Sequence, residues 1–237
     1  MTFQHQLMIV SHGISEIGCQ MNPNIVIIGV PRSGTSILAS MIQTLGWHYA
    51  PDANWGGESA AVMAVQRKMI DRERHTFSTD RFDAVAARTA LAPLTAPWVL
   101  KDTSLSFTLH VWAPLLHTAS GDRPLVLMCS TRDTAQVERS WRRRTGLPSG
   151  GTYIRDDGTV ATQRSDITLP EWCARAVETY DRWSGVKVRI DLADMHKAAA
   201  LVDTSPFRAA MRRLRLWRGF RSQRARVRRK TDHPPAS

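Results

Sequence analysis

An unbroken apolar strand that runs into a glycine-containing turn and then a helix constrains the fold of this chain more than any other feature. Residues 24–30 (NIVIIGV) are rich in β-branched side chains, which is typical of a strand buried on both faces of a parallel sheet. Apolar residues then recur on one helical face between Ile37 and Leu45, and Gly46 follows as a C-terminal cap. Residues 31–36 (PRSGTS) therefore join a buried strand to the start of a helix.

Further strand and helix patterns alternate along the rest of the chain. Residues 98–101 (WVLK) and 124–130 (PLVLMCS) are predicted strands, and a helical pattern follows each of them. Such alternation favours right-handed crossovers and a parallel sheet covered on both faces. We therefore expect an α/β protein, a three-layer α/β/α sandwich around a central parallel sheet of four to five strands, with a P-loop-like layout.

The other segments complete this outline. The pattern predicts a helix over residues 59–74 and a long loop rich in Gly, Thr and Asp over residues 146–167. Thr168-Leu-Pro-Glu171 has the form of a capping box, which predicts a helix from there to Ser184. Residues 186–190 are predicted to form the last strand.

Positive charge is concentrated at the carboxyl-terminal end. The net charge of the 237-residue chain is +11, and residues 208–230 hold ten Arg and one Lys with no acidic residue. Apolar residues at spacings of three and four predict an amphipathic helix, which either packs on the domain or lies on a membrane surface. We expect a lead segment at residues 1–23 (with Met21 as an alternative start), a domain at 24–206, and this helix with a disordered tail at 207–237.

Composition excludes several classes of protein. No stretch approaches the 18 apolar residues of a membrane span, and no basic residue precedes Arg32 as a signal peptide would require. The three cysteines, Cys19, Cys129 and Cys173, are far apart and form no CxxC pair. We interpret them as reduced thiols, and therefore expect a cytoplasmic protein without a metal site.

Residues 31–36 have the chemistry of an anion site. The first N–H groups of a helix lack internal partners and carry the positive end of the helix dipole. Gly34 lets the backbone approach an oxyanion, and Thr35 and Ser36 add hydroxyl donors, at about 1.5–3 kcal/mol for each charge-assisted bond. A tight turn before a well-capped helix is the alternative. Thr35 stands where a nucleoside triphosphatase needs Lys, whereas Arg32 supplies a cation inside the loop.

Two motifs resemble those of the sulfotransferases that use 3′-phosphoadenosine 5′-phosphosulfate (PAPS). PRSGTS after a strand is similar to the family's 5′-phosphosulfate loop in its bacterial form. The second motif is a strand ending in Arg132, with Ser140 eight residues later. The resemblance implies that Arg132 and Ser140 hold the 3′-phosphate and that Arg32 contacts the bridging region of the phosphosulfate. It implies these donor-binding residues: Pro31, Arg32, Ser33, Gly34, Thr35, Ser36, Arg132 and Ser140.

The resemblance extends to candidate catalytic residues. Lys101 is similar to the family's strand-end Lys near the transferring sulfuryl group, and Lys101-Asp102 matches the bacterial branch. The cytosolic eukaryotic branch has a catalytic His where this chain has Thr103. Glu58 resembles the catalytic Glu of the Golgi carbohydrate branch. We expect Glu58 or Asp102 to be the general base; the alternatives are that Glu58 caps a helix and that Asp102 forms an ion pair with an Arg.

These residues predict sulfuryl transfer from PAPS to a hydroxyl or amine of a carbohydrate, lipid or small metabolite. Nucleic acid is not an expected partner, and the sequence fixes neither the acceptor nor the oligomeric state. In this family basic C-terminal residues often close over the 3′-phosphate, which is a further role for the Arg-rich helix. The alternatives are a small-molecule kinase with a degenerate P-loop, and a non-enzymatic protein that binds anions or membranes through that helix.

Overall fold

The elements follow one another as strands alternating with helices. The computed structural model describes residues 22–71, 76–145, 152–154, 160–162 and 169–192. In chain order its elements are β1 (Asn24–Gly29), α1 (Thr35–Thr44), α2 (Ala60–Lys68), β2 (Ile70–Asp71), β3 (Thr76–Phe77), a 3-10 turn (Thr79–Arg81), α3 (Ala84–Leu91), β4 (Val99–Lys101), α4 (Leu105–Ser120), β5 (Leu125–Thr131), α5 (Thr134–Thr145), β6 (Thr152–Ile154), β7 (Val160–Thr162), α6 (Leu169–Arg182) and β8 (Lys187–Asp191).

A four-stranded sheet in the order β4–β1–β5–β8 forms the centre of the fold. All neighbouring strands are parallel. The longest pairing joins β1 to β5 over six residues, from Asn24 opposite Leu125 to Gly29 opposite Ser130. The predicted α/β class with a parallel sheet of four to five strands is confirmed.

Alternate side chains of β1 enter two different cores, because successive residues of a strand point to opposite faces of the sheet. Ile25 and Ile27 pack with α1 residues such as Leu38. Val26 and Ile28 pack on the other face, in a core that includes residues of α2, α3, α4 and α6. All four β1 side chains are buried, and full burial of each stabilises the fold by roughly 1.5–3 kcal/mol.

The strand order creates a cleft at one edge of the sheet. From β1 the chain crosses to β4 on one side, and from β4 it returns past β1 to β5 on the other side. The loops that leave β1 and β5 therefore diverge. In open parallel sheets, ligands bind outside the carboxyl ends of the strands at such a switch point. In this fold the switch point lies between residues 30–36 and Arg132.

The predicted helix over residues 59–74 is wrong beyond Met69, where the described residues 70–71 form a strand; residues 72–74 lie outside the described residues. The helix α2 ends at Lys68, and β2 then pairs with β3 in an antiparallel ladder. Met69 explains the break, because its side chain is fully buried and its carbonyl accepts a hydrogen bond from Ser78 N at 2.8 Å. The chain therefore reverses direction where the helical pattern alone would continue.

Other boundaries differ by smaller amounts. The predicted loop at 146–167 contains an antiparallel pair, β6 with β7. The sequence pattern also missed α3, although Asp83 caps it by accepting a hydrogen bond from Ala86 N at 2.9 Å. The lead segment up to Met21, Thr168 of the capping box, and the basic helix and tail at 207–237 lie outside the described residues. Among the described helices, none is long and apolar enough to cross a membrane.

Gly29 controls how closely β1 and β5 approach at the cleft. A Cβ at this position would lie 2.5 Å from the carbonyl oxygen of Ser130, and the φ of 146° is one that side chains disfavour. We expect Gly29→Ala to lower the free energy of unfolding by about 1–3 kcal/mol more than Gly46→Ala. Gly46 also has positive φ but has no atom within 4 Å of its would-be Cβ. Urea denaturation of both variants measures the difference, and equal losses would contradict the close contact.

Candidate active site

The loop between β1 and α1 adopts the geometry of an anion cradle. Arg32 has a φ of 77°, and Gly34, the N-cap of α1, is also left-handed with a φ of 103°. Left-handed residues in such a turn help to form concave arrays of N–H groups that bind anions. No side chain caps α1, and its first turn has no acidic residue. The start of the helix therefore keeps the positive end of its dipole without a protein counter-charge in that turn.

Not every side chain of this loop faces the cleft. Ser33 and Thr35 are buried, while Pro31, Arg32 and Ser36 are half-buried. The methyl group of Thr35 and the hydroxyl of Ser33 both lie near Gly29, and Ser33 Oγ has no hydrogen-bond partner. Within residues 31–36, the geometry therefore turns the Ser33 hydroxyl away from the site, whereas only the methyl group of Thr35 faces Gly29, so the backbone, Arg32, Ser36 and the Thr35 hydroxyl remain as groups that can contact a ligand.

Arg32 connects the two sequence motifs directly. Its Nε donates a hydrogen bond to Ser140 Oγ at 3.2 Å. Arg132 Nη1 in turn donates to the backbone oxygen of Arg32 at 3.3 Å, and Arg132 Nε donates to Gln136 Oε1 at 3.1 Å. The loop after β1, the residue after β5 and the middle of α5 therefore meet in one place.

The surroundings of Arg132 are rich in positive charge. Partial burial lowers the pKa of the Arg132 guanidinium below its ordinary value, and the charges of Arg143 and Arg139 lower it further, while Asp133 and Asp191 oppose the shift. An arginine side chain remains protonated despite such shifts. The crowding therefore means that a bound anion would relieve repulsion among these guanidinium groups.

Glu58 and Lys101 form an ion pair at the end of β4. Lys101 Nζ donates to Glu58 Oε1, and Asn54 Nδ2 donates to Glu58 Oε2 at 3.0 Å. The Lys101 side chain is only 4% exposed, whereas that of Glu58 is 30% exposed. The lysine is thus enclosed within the protein, and part of the carboxylate faces solvent.

The alternative in which Glu58 caps a helix is wrong. The N-cap of α2 is Ser59, whose Oγ accepts from Val62 N at 3.2 Å. Asp52 supplements this cap by accepting from Ala61 N at 2.6 Å. Glu58 therefore lies before the helix, in a loop where its side chain serves the pair with Lys101.

Asp102 is a buried acid with an incomplete set of hydrogen bonds. Its Oδ1 accepts from Ser104 N at 2.7 Å, but Oδ2 is buried without a partner. Burial raises the pKa of the Asp102 carboxyl, and this effect outweighs the hydrogen bond from Ser104 and the charge of Lys101. The alternative of an ion pair with an arginine is not supported, because no Arg among the described residues bonds to Asp102.

The two parts of the site lie against each other. A Cβ at Gly56 would come within 3.1 Å of Ser36 Oγ, so the loop that carries Glu58 rests on the anion loop. Lys101 N also donates to Gly57 O at 3.4 Å. The carboxyl edge of the sheet therefore combines an anion cradle at β1 and β5 with a lysine–carboxylate pair at β4.

Sequence reasoning missed two residues of this arrangement, Asn54 and Gln136. Asn before Gly is a common turn signal, and Asn54 lies two residues before the Gly-Gly pair, so the sequence did contain a clue to a structured loop. Gln136 had no such signal. Among the described residues, no group of three or more His, Cys, Asp or Glu is placed to hold a metal ion.

No model of a known protein family matches the chain, and no curated protein sequence matches it significantly. Its function must therefore be argued from the geometry of its own residues.

Because burial raises the pKa of Asp102, we predict that the stability of the protein depends on pH. An acid whose pKa is raised by folding binds its proton more tightly in the folded state, so stability falls as pH rises from the ordinary value of 3.8 through the raised value. We expect Asp102→Asn to gain stability relative to the wild type as pH rises through that window and to show a constant difference above it. Urea denaturation over a pH series from about 4 upwards measures this.

The matched control is Asp122→Asn, which changes an exposed aspartate before β5. Its effect should not follow the same pH profile. A pH-independent difference for Asp102→Asn would show that burial does not perturb this carboxyl.

Proposed function

We propose that this protein is a sulfotransferase that moves a sulfuryl group from PAPS to a hydroxyl or amine of an acceptor. The observation that carries the proposal is the contact of Arg32 Nε with Ser140 Oγ at 3.2 Å, together with the bond from Arg132 Nη1 to Arg32 O. These contacts join two motifs that are 108 residues apart in the chain. The resemblance assigned one motif to each end of the same donor.

The geometry suits a nucleotide with two anionic groups on one ribose. The 5′-phosphosulfate and the 3′-phosphate of PAPS are close neighbours, so their binding groups must also be neighbours. A guanidinium has five N–H donors and can bind several oxygens at once. Arg32 can therefore keep its bond to Ser140 and also bind an oxygen of the donor, while Arg132 adds a second cation.

The transfer requires stabilisation of the negative charge that develops on the 5′-phosphate when its bond to sulfur breaks. In the reaction, the sulfur forms a bond to the acceptor oxygen or nitrogen, and the bond between sulfur and the 5′-phosphate oxygen breaks, leaving its electron pair on that phosphate. Arg32 and the N–H groups at the start of α1 would stabilise the developing negative charge. Lys101 ends the neighbouring strand but is only 4% exposed and is paired with Glu58, so it would act through that pair and its positive charge and not by touching the transferring group.

The acceptor must also lose a proton, and Glu58 fits that role better than Asp102. Glu58 is 30% exposed and can meet an acceptor, whereas Asp102 is only 4% exposed. Lys101 and Asn54 hold the Glu58 carboxylate from two sides. Glu58 would take the acceptor proton as the new bond to sulfur forms. Asp102 would then serve as a buried group that positions the chain at the start of α4.

Donor binding is the first test. We expect adenosine 3′,5′-bisphosphate, the product of transfer, to raise the melting temperature in Mg²⁺-free buffer, since ligands stabilise the state that binds them. ATP with Mg²⁺ should raise it much less. Arg132→Ala should weaken the affinity for the bisphosphate by about tenfold to a hundredfold, which corresponds to the loss of one charge-assisted bond of about 1.5–3 kcal/mol. Isothermal titration calorimetry gives the affinity.

Arg123→Ala is the matched control, because Arg123 precedes β5 and lies at the opposite edge of the sheet from Arg132. It removes the same charge and should leave the affinity unchanged. A stronger response to ATP with Mg²⁺ would instead favour the kinase alternative. If both variants lost the same affinity for the bisphosphate, the binding would be due to general electrostatic attraction and not to a specific site.

Transfer itself is the second test. Incubation with ³⁵S-labelled PAPS and a panel of alcohols, phenols, amines, sugars and lipid extracts should label an acceptor. With that acceptor, Glu58→Gln should lower kcat by about 10²- to 10⁴-fold, the usual contribution of a general base, with unchanged affinity for the bisphosphate. Unchanged kcat in this variant would exclude Glu58 as the base. Bisphosphate binding with no transfer to any acceptor would favour the non-enzymatic alternative.

A further inference from the structure

The side chain of Asn54 organises the loop that carries Glu58. Asn54 Oδ1 accepts hydrogen bonds from Gly56 N at 2.8 Å and from Glu58 N at 3.2 Å. The backbone closes the same turn, since Asn54 N donates to Glu58 O at 2.9 Å and Gly57 N donates to Asn54 O at 2.9 Å. The amide oxygen of Asn54 is thus committed to the loop backbone.

Because Oδ1 accepts these two hydrogen bonds, the direction of the Nδ2 amide group of Asn54 is also fixed. An asparagine carries one acceptor oxygen and one NH₂ donor group, so fixing the oxygen fixes the donor. The donor group bonds to Glu58 Oε2 at 3.0 Å. Reversing the amide would place NH₂ against two backbone N–H groups and an oxygen against a carboxylate. The hydrogen-bond pattern therefore allows only the orientation in which Asn54 donates to Glu58.

The Glu58 carboxylate is consequently held at both of its oxygens. Lys101 on β4 donates to Oε1, and Asn54 donates to Oε2. Asp102, the residue after Lys101, is a nearby titratable group: burial is the main cause that raises its pKa, and the charge of Glu58 adds to this effect. Bonds at both oxygens define the plane of the carboxylate, and donors to the charged form favour ionisation.

We propose that Asn54 is a positioning residue for the reaction, which orients the Glu58 carboxylate so that it can accept the acceptor's proton. This inference rests on the proposed function for its link to catalysis. Asn54 does not touch the reacting atoms. It acts through Glu58, by fixing the carboxylate oxygen that Lys101 does not bind.

Asn54→Asp separates this role from the support of the loop. An aspartate keeps an oxygen that can accept from Gly56 N and Glu58 N, but it loses the NH₂ donor and places a second negative charge beside Glu58. We expect the midpoint of Glu58 protonation to move to higher pH by about one unit, as expected for a lost charge-assisted bond and a like charge nearby. The probe is the side-chain carboxyl resonance of ¹³C-labelled glutamate, assigned by its absence in Glu58→Gln.

Asn22→Asp is the matched control. Asn22 is exposed and precedes β1, at the opposite edge of the sheet from the site, so this variant adds the same charge far from Glu58. It should leave the midpoint unchanged. Because the ¹³C titration needs neither donor nor acceptor, it tests the coupling of Asn54 to Glu58 even when the chain transfers no sulfuryl group.

Kinetics then test the link to catalysis with the acceptor found above. Asn54→Asp should lower kcat by about tenfold because Glu58 loses its fixed orientation, and the acid limb of the kcat–pH profile should move to higher pH by about one unit, with unchanged affinity for adenosine 3′,5′-bisphosphate. Equal midpoints in Asn54→Asp and Asn22→Asp would overturn the inference. A shifted midpoint with unchanged kcat would overturn the catalytic part of it. If urea denaturation shows that Asn54→Asp is unfolded, Asn54→Ser, which keeps a short oxygen acceptor, takes its place with the same expected directions.

Discussion

The pairing of β1 with β5 is the contact on which the site depends. Six consecutive residue pairs fix the register, ending where Gly29 lies opposite Ser130. A slip of one residue would turn each side chain of β5 to the other face of the sheet. The hydroxyl of Ser130 also donates to Ser33 O at 3.0 Å, so the same strand that places Arg132 holds the anion loop. The register of two strands thereby determines the spacing of the arginines.

Charge divides the carboxyl edge of the sheet into two halves. At β4 the cation of Lys101 is matched by the carboxylate of Glu58. At β5 and α5, by contrast, Arg132 is crowded by Arg139 and Arg143. In the proposed reaction, the anionic donor would bind at the second half and the acceptor that releases a proton at the first. The close approach of Gly56 to Ser36 sets the two halves side by side, as direct transfer between two substrates would require.

The sequence predicted the parts of the fold that depend on local pattern. The structure contains the predicted strand at 24–30 as β1 and the helix after it as α1. The predicted positions of Arg32 and Arg132 after two strands also indicated that both lie at the carboxyl edge of the sheet. It failed where long-range packing overrides local pattern. Burial of Met69 ends α2 early, although the residues beyond it remain compatible with a helix. The hydrogen bonds of Asn54 depend on the tertiary path of a loop, which periodicity does not encode. Ser33 looked equivalent to Ser36 as a donor, but its hydroxyl lies against Gly29 and has no hydrogen-bond partner.

Gly57 limits how the loop that carries Glu58 can vary. A Cβ there would lie 3.0 Å from the ring of Tyr49 and 3.3 Å from the Cβ of Ala39, and the φ of 79° disfavours any side chain. Tyr49 is itself tied to α1 through Ser40 at 3.5 Å, so the ring cannot withdraw without disturbing the helix that begins at the anion loop. If the proposed function holds, a variant with a different acceptor would have to change residues outside this turn. The position of Glu58 relative to the sheet would stay the same, and the differences would fall in the residues around it.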